Sequence, residues 1–219
     1  MQLFLPFQTS TKSELFKEED FLPLTENSAA INFLKKFFEQ KDFATSQFQS
    51  LVLKGAKSSG KTHLLHIFAK KFGAEFLDQE RINSVNPANF FAANKFYILE
   101  NVAEIKDEEL VLRLINSAVE AKAFLILSSR NVPQFSLKDL ASRLRNIFSV
   151  EIKNPSQESI KLLLAGNCSR KQIKLSRQAI DFLSDNIERS FEAVLLAGKM
   201  VEDLAQNGDV KLSEIKKFF

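Results

Sequence analysis

The segment GAKSSGKT, residues 55–62, has the residue types and spacing of a loop that binds nucleotide phosphates, G-x-x-x-x-G-K-[ST]. Gly55 and Gly60 permit the tight backbone that turns several N–H groups toward phosphate oxygens. Lys61 is expected to approach the terminal phosphates, and the Thr62 hydroxyl is expected to bind Mg²⁺. The motif therefore predicts binding of ADP or ATP together with Mg²⁺.

The sequence around this loop matches the context that the motif requires. A short apolar strand, LVLK, precedes the loop, and a helical pattern continues from Lys61 through HLLHIFAKKF. This context favours phosphate binding over a glycine turn without a ligand, and we include Ser58, Ser59 and His63 in the predicted nucleotide-binding set. His63 and His66 are the only histidines, and because no carboxylate or cysteine follows at metal-ligand spacing, packing is favoured over a metal site.

In the stretch FYILEN, residues 96–101, an apolar run is followed by two polar residues, Glu100 and Asn101. Glu100 is expected to hold Mg²⁺ directly or through water, because nucleotide-hydrolysing proteins place a carboxylate at such a strand end. Asn101 can orient a water molecule by a hydrogen bond but cannot accept its proton. The pair therefore predicts nucleotide binding with weak or absent hydrolysis by the chain itself.

Composition places the chain among globular proteins. Hydrophobic residues make up 45% and charged residues 26% of its 219 residues, which argues against disorder and against a membrane protein. The net charge of +3 does not indicate a surface dedicated to nucleic acid. The single cysteine, Cys168, cannot form an internal disulfide and is expected to pack in a helical surface. We expect a cytoplasmic protein.

The order of apolar segments predicts an α/β part followed by a helical part. LVLK, EFLD, FYILE, FLILSS and IFSVEI have the composition of strands, with helical patterns between the later ones. Such alternation predicts a parallel sheet covered on both faces. From Pro155 onward the strand signal stops, and three or four helical patterns follow. The predicted divisions are 1–20, 21–154 and 155–219.

Three segments make the chain resemble the DnaA branch of the AAA+ nucleotide-binding proteins: GAKSSGKTHLLH, FYILEN and LASRLRNIF. The resemblance runs from about Phe21 to the end of the chain. It implies that residues 21–154 form an AAA+ phosphate-loop domain with a parallel five-stranded sheet and that 155–219 form a small all-helical lid. It also implies that FLPLTEN, with Phe21 and Leu22, supplies part of an adenine pocket.

The same resemblance assigns three arginines. Arg143, in LASRL, occupies the position of a family arginine that reaches the phosphates bound by a neighbouring subunit, and Arg145 is the alternative. A guanidinium suits this role because it is always charged and can stabilise a transferred phosphoryl group in trans. On spacing alone, an arginine in a surface ion pair remains the simpler interpretation. Arg189, in ERSFEA, matches a family arginine that contacts the protein's own nucleotide.

The chain departs from the family pattern in three places. Initiators usually end the metal-binding strand with two aspartates, where this chain has Glu100 and Asn101. Arg130, in LSSRNVP, occupies a position where an acidic residue is expected. These changes are expected to affect Mg²⁺ binding and nucleotide turnover. Initiators continue beyond the lid into a helix-turn-helix module that reads DNA, and because this sequence ends at Phe219 we expect that module to be missing.

The first residues, MQLFLPF, are apolar although chain ends are usually solvated. They lack the features of a secretory signal, which leaves an edge strand of the chain's own core or a peptide for a partner. QLFLPF resembles the sliding-clamp-binding peptide of the regulatory, Hda-like members of the family. That resemblance implies a set of clamp-contacting residues, which comprises Gln2, Leu3, Leu5, Pro6 and Phe7.

Together these features predict a regulator of replication initiation in a bacterial cytoplasm. The expected partners are the sliding clamp, which is the β subunit of DNA polymerase III, and the DnaA initiator. DNA would be contacted only through the clamp, giving an association with the nucleoid, and no membrane contact is expected. Self-association is left open. The alternatives are a non-catalytic adaptor that joins an initiator assembly and, ranked lower, an ATPase of the helicase-loader type.

Overall fold

The computed structural model describes residues 16–77, 82, 90–130, 135–205 and 210–219. Within these residues one sheet contains five strands: β1 (Ser50–Gly55), β2 (Glu75–Phe76), β3 (Phe96–Leu99), β4 (Phe124–Ser129) and β5 (Phe148–Ile152). The strands are all parallel and lie in the order β2-β3-β4-β1-β5. The predicted α/β fold with a five-stranded parallel sheet is confirmed.

The helices of the α/β part are α1 (Thr25–Phe38), α2 (Lys61–Phe72), α3 (Glu108–Glu120) and α4 (Lys138–Asn146). The C-terminal part contains α5 (Gln157–Arg170), α6 (Arg177–Asn186), α7 (Phe191–Ala205) and α8 (Leu212–Ile215). Short 3-10 helices lie at Glu18–Asp20, Val102–Glu104 and Lys216–Phe218. Among the described helices none is long and apolar enough to cross a membrane.

The central strands are buried on both faces of the sheet. In β4, Phe124 and Ile126 belong to one apolar cluster, whereas Leu125 and Leu127 belong to another. This follows from the two-residue period of a strand, which sends successive side chains to opposite faces. Helices α1 and α2 contribute to the first cluster, and α3 and α4 contribute to the second. Covering both faces explains why the strands are continuous apolar runs.

Phenylalanine fills much of the first cluster. Phe37 is 1% exposed and its ring lies edge-on to those of Phe38, Phe96 and Phe124, with centroids 5.8–6.1 Å apart. Edge-to-face pairs at such distances add attraction beyond the area they bury. These four phenylalanines therefore help to hold α1 against the sheet.

The C-terminal helices form a separate apolar core. Ile160 and Leu164 of α5, Leu183 of α6 and Val201 of α7 are fully buried in it. Cys168 is also buried there, as the sequence predicts for a small residue in a helical packing surface. The predicted helical part after the sheet is present in the structure.

The first helix begins earlier than its apolar pattern indicates. The sequence pattern begins at Ser28, whereas α1 begins at Thr25. Asn27 accounts for the added turn, because its side-chain oxygen accepts the Leu24 N–H at 2.8 Å and its amide donates to the Leu22 carbonyl at 3.0 Å. These bonds also fix the segment that enters the helix, which contains Phe21 and Leu22 of the predicted adenine pocket.

Candidate nucleotide-binding site

The loop between β1 and α2 has the backbone shape expected for a phosphate cradle. Gly60 immediately precedes α2 with φ 86°, and Ser58 is also left-handed with φ 62°. A Cβ at Gly55 would lie 2.7 Å from the Ser59 hydroxyl and 3.1 Å from the Ile152 carbonyl, so this approach to β5 excludes a side chain. The loop leads into the N-terminus of α2, where free N–H groups favour anions.

Lys61 is a buried cation at the centre of this loop. Its ammonium donates to the carbonyls of Gly55 and Ala56 at 2.7 and 2.8 Å and to the Ser59 hydroxyl at 3.3 Å. Burial lowers the pKa of Lys61, and the positive charge of Arg130 adds to that effect while two nearby carboxylates oppose it. A buried cation held by neutral oxygens is a suitable partner for phosphate oxygens.

Thr62 and Glu100 meet at the carboxyl ends of β1 and β3. The Thr62 hydroxyl donates to a carboxylate oxygen of Glu100 at 2.6 Å. A hydroxyl and a carboxylate fit Mg²⁺, which takes few protein oxygens and completes its shell with phosphates and water. No cluster of three histidine, cysteine or acidic residues that would hold a metal by itself occurs in the described parts of the chain. The pair therefore fits a Mg²⁺ ion that arrives with a nucleotide.

Asn101 and Arg130 complete this edge of the sheet. Asn101 has left-handed backbone angles, φ 51° and ψ 45°, and its N–H donates to the Ser128 hydroxyl of β4 at 3.1 Å. Arg130 follows β4 directly and forms an ion pair with Glu104 at 2.9 Å. The structure thus brings the predicted metal and water positions together with Arg130 at the carboxyl ends of neighbouring strands.

A cavity lies beside the loop, between the N-terminal segment and α5. Its lining comes from the loop and the first turn of α2, from the segment before and within α1, and from α5 and α7. These residues are Ser58, Ser59, Gly60, His63, Asp20, Phe21, Leu22, Leu24, Asn27, Leu163, Gly166, Arg170 and Phe191. The ring of Phe21 approaches Gly60 closely enough that a Cβ there would lie 3.2 Å from it. Phe21 and Leu22 thus lie beside the phosphate loop, as a base-binding segment requires.

The two histidines contact aromatic rings. The Nε2–H of His63 donates to the Lys17 carbonyl at 2.7 Å, and the ring lies edge-on to Phe21, with ring centroids 5.3 Å apart. His66 stacks between Phe16 and Phe76, with centroid distances of 4.5 and 4.2 Å. These contacts tie the segment before α1 to the outer face of α2.

Arg143 and Arg145 lie at the opposite edge of the sheet from the phosphate loop. Both line a groove of about 720 Å³ at the amino ends of β1 and β5, and the Arg143 guanidinium donates to Asn116 of α3. The paired span from Leu51 to Gly55 of β1 separates this edge from the loop by about 13 Å at the usual rise per residue. These arginines are therefore remote from the chain's own phosphate site.

In the C-terminal part, Arg170 rather than the predicted Arg189 lines the cavity. Arg170 ends α5 and donates to the Asp20 carbonyl at 3.3 Å. Arg189 is exposed, two residues before α7, and its contact with nucleotide stays a prediction. Sequence spacing could not reveal Arg170, because Asp20 is 150 residues away along the chain.

Sequence reasoning also missed Glu26, which joins the α/β part to the C-terminal helices. Its carboxylate accepts the Ser156 N–H and the Ser159 hydroxyl, both at 2.7 Å, at the start of α5. Partial burial raises the pKa of Glu26, but the hydrogen bonds from Ser159 and Ser156 together outweigh that effect, and the pKa lies below its usual value. Glu26 thereby fixes α5 beside the cavity.

The predicted clamp peptide, residues 2–7, lies outside the described residues. Its assignment therefore rests on the sequence alone.

No protein-family model matches the chain. Its sequence is 25% identical over 183 residues to the chromosomal replication initiator protein DnaA of Bacteroides thetaiotaomicron. This match covers 70% of the chain and 39% of the relative, so the chain spans about two fifths of that protein's length.

Solved structures share the fold at lower identity. Domain III of DnaA from Thermotoga maritima has a TM-score of 0.69 at 16% identity and covers 90% of this chain and 92% of that one. AMPPCP-bound DnaA from Aquifex aeolicus has a TM-score of 0.64 at 18% identity, covering 87% and 67%. A Thermotoga maritima RuvB mutant has a TM-score of 0.66 at 13% identity, covering 92% and 70%. The chain therefore shares its fold with domain III of DnaA and with RuvB.

Proposed function

We propose that this DnaA-related AAA+ domain is a nucleotide-binding regulator of chromosome replication initiation that supplies Arg143 to the ATP site of a DnaA initiator. The observation that carries the proposal is the position of Arg143 at the edge of the sheet opposite the phosphate loop. From there it cannot reach phosphates held by its own chain, but it is accessible to a neighbouring protein.

The chain's own site supports binding of ADP or ATP. Lys61 and the left-handed loop before α2 offer a cation and N–H groups to phosphates, while Thr62 and Glu100 offer oxygens to Mg²⁺. A likeness to a DnaA structure that binds AMPPCP is consistent with this role. Bound Mg²⁺ would neutralise phosphate charge, and Asn101 would hold a water molecule without removing its proton. The chain's own hydrolysis is therefore weak, and nucleotide binding serves to fix the domain's shape.

Arg143 would act on the partner. An arginine supplied from another protein stabilises the charge that develops on the transferred phosphoryl group and can raise hydrolysis by about 10³-fold or more. Its present hydrogen bond to Asn116 is exposed and can be exchanged for a phosphate contact at little cost. The regulator would thereby convert the initiator to its ADP form.

Recruitment would come from residues 2–7. Gln2 can hydrogen-bond at the rim of a pocket, Leu3, Leu5 and Phe7 can fill an apolar groove, and Pro6 reduces the entropy lost on docking. Binding to a sliding clamp loaded on DNA would raise the local concentration of the regulator near replicating DNA.

The test follows hydrolysis of ATP bound to the cognate DnaA initiator, with DNA-loaded clamp and ADP present. The intact chain should accelerate hydrolysis, whereas Arg143→Ala and a variant lacking residues 2–7 should not. Arg113→Ala provides the matched control, because Arg113 is an exposed arginine of α3 whose ion pair with Asp107 spans 3.9 Å. If Arg143→Ala is as active as the intact chain, the finger assignment is wrong.

A non-catalytic adaptor makes a different prediction in the same assay. It would bind the initiator without changing its turnover in the intact chain or in any variant. An ATPase of the helicase-loader type would instead hydrolyse ATP without the initiator and would not need residues 2–7.

A further inference from the structure

We propose that residues 17–22 form a strap across the cavity beside the phosphate loop, and that the contact of this strap with Arg170 sets how fast nucleotide enters and leaves. The inference rests on the proposed nucleotide binding and adds a control of its rate. Arg170 acts here as a positioning residue, which holds the strap rather than the nucleotide.

One end of the strap is fixed by buried hydrogen bonds. The Leu22 carbonyl accepts from the Asn27 amide at 3.0 Å, and the Leu24 N–H donates to the Asn27 side-chain oxygen at 2.8 Å. Asn27 is 3% exposed, so breaking these bonds would leave buried polar groups without partners. Any movement of the strap therefore pivots about this end.

His63 and Arg170 hold the other end of the strap at the surface. The Lys17 carbonyl accepts from the His63 Nε2–H at 2.7 Å, and the Asp20 carbonyl accepts from Arg170 at 3.3 Å. The Arg170 guanidinium also lies 3.9 Å from the Asp20 carboxylate, and the two side chains are 41% and 38% exposed. Contacts of this exposure break easily, because water solvates both groups when they separate. This end can therefore open while the other stays in place.

Between its two ends the strap lies over the phosphate loop and faces α5. The Phe21 ring would be 3.2 Å from a Cβ at Gly60, and helix α5 forms the facing wall through Gly166 and Arg170, among others. An added Cβ at Gly166 would lie 3.8 Å from an Arg170 nitrogen, and the same guanidinium donates to the Asn167 side-chain oxygen, so Arg170 folds back along α5. Its bond to the strap therefore joins the two walls of the cavity.

A contact that joins the walls in this way predicts an effect on rates rather than on affinity. Nucleotide that passes between the strap and α5 enters and leaves at rates proportional to the fraction of molecules in which the strap is open. Loss of the Arg170 contact raises that fraction in the free and in the bound protein alike. The association and dissociation rate constants then rise together, and the dissociation constant, which is their ratio, changes little.

The experiment follows binding of a fluorescent ADP analogue with Mg²⁺ to the full chain by stopped flow. Arg170→Ala should raise both rate constants by about fivefold, the factor expected for one partly exposed hydrogen bond. Arg170→Lys keeps a cation that can donate to the Asp20 carbonyl and should give intermediate rate constants. Lys171→Ala is the matched control, because Lys171 is the next residue, is also exposed and pairs with Glu202 of α7 within the C-terminal part. It should leave both rate constants unchanged.

Three results would overturn the inference. Faster dissociation with an unchanged association rate constant in Arg170→Ala would mean that Arg170 binds the nucleotide itself. Unchanged rate constants in Arg170→Ala would mean that its contact with the strap does not limit exchange. An equal rise in Arg170→Ala and Lys171→Ala would mean that any loosening of the C-terminal helices has this effect. Each of these results leaves the proposed nucleotide binding intact, whereas failure of the unaltered chain to bind both the analogue and unlabelled ADP refutes both proposals.

Discussion

Replacing Glu26 by Gln should weaken the connection between the sheet and the C-terminal helices. Glu26 lies in the first turn of α1, and its two carboxylate oxygens accept the Ser156 N–H and the Ser159 hydroxyl at the start of α5. A negative charge near two helix N-termini is favourable in addition to these hydrogen bonds. Glutamine keeps one acceptor oxygen but presents an NH₂ group, which cannot accept, in place of the other.

The expected cost is that of about one charge-assisted hydrogen bond. Such bonds contribute about 1.5–3 kcal/mol each, and the partial exposure of Glu26 places the loss near the lower end, at about 1.5 kcal/mol. For a chain of this length, that loss lowers the Tm by about 3–6 °C.

The pH dependence gives the sharper test. Because the folded-state pKa of Glu26 lies below the usual 4.5, its stabilisation is complete above that value and is lost as the pH falls through the folded pKa. Urea unfolding of the intact chain and of Glu26→Gln at several pH values should give a constant difference above pH ~5.5 that shrinks below pH ~4.5.

Glu39→Gln is the matched control, because Glu39 is an exposed carboxylate directly after the other end of α1. It should change the free energy of unfolding by less than about 0.5 kcal/mol. An equal loss in both variants, or a difference for Glu26→Gln that persists below the folded pKa, would refute the reasoning.

Three further changes probe the loop, the core and the surface. Gly60→Ala should destabilise by about 1–2 kcal/mol and weaken nucleotide binding, because Gly60 has φ 86° and a Cβ would press on Phe21 at 3.2 Å; thermal melts with and without Mg²⁺–ADP measure both. Phe37→Ala should cost about 3–5 kcal/mol in urea unfolding, because Phe37 is 1% exposed in the aromatic cluster. Lys57→Ala should cost less than about 1 kcal/mol in the same assay, because its 2.6 Å pair with Glu192 is exposed.

Much of the α/β part could be predicted because its signals are local. The three central strands, β1, β3 and β4, are short and mainly apolar, and GAKSSGKT lies between a strand and a helix as its chemistry requires. The apolar pattern predicts a start of α1 that is later than the observed start at Thr25, and the reason is also local. Its apolar period begins at Ala30, whereas the first turn is fixed by Asn27 hydrogen bonds that hydrophobicity does not encode.

The contacts between the two parts of the chain could not be predicted from spacing. Glu26 meets Ser156 across 130 residues, and Arg170 reaches the Asp20 carbonyl across 150. Neither pair follows from helical or strand periodicity, since each depends on how α5 is placed against α1 in three dimensions. The resemblance to DnaA supplied Arg189 for the C-terminal part but gave no reason to single out Arg170.

The measurement that tests the central claim most directly is nucleotide binding by the full chain. Calorimetric titration with Mg²⁺–ADP and Mg²⁺–ATP should show one site in the intact chain and at least tenfold weaker binding in Lys61→Ala, whose buried ammonium lies in the loop. Lys70→Ala, an exposed lysine in the last turn of the same helix, should bind like the intact chain. Absence of binding in the intact chain, or equal binding by Lys61→Ala, would contradict the account.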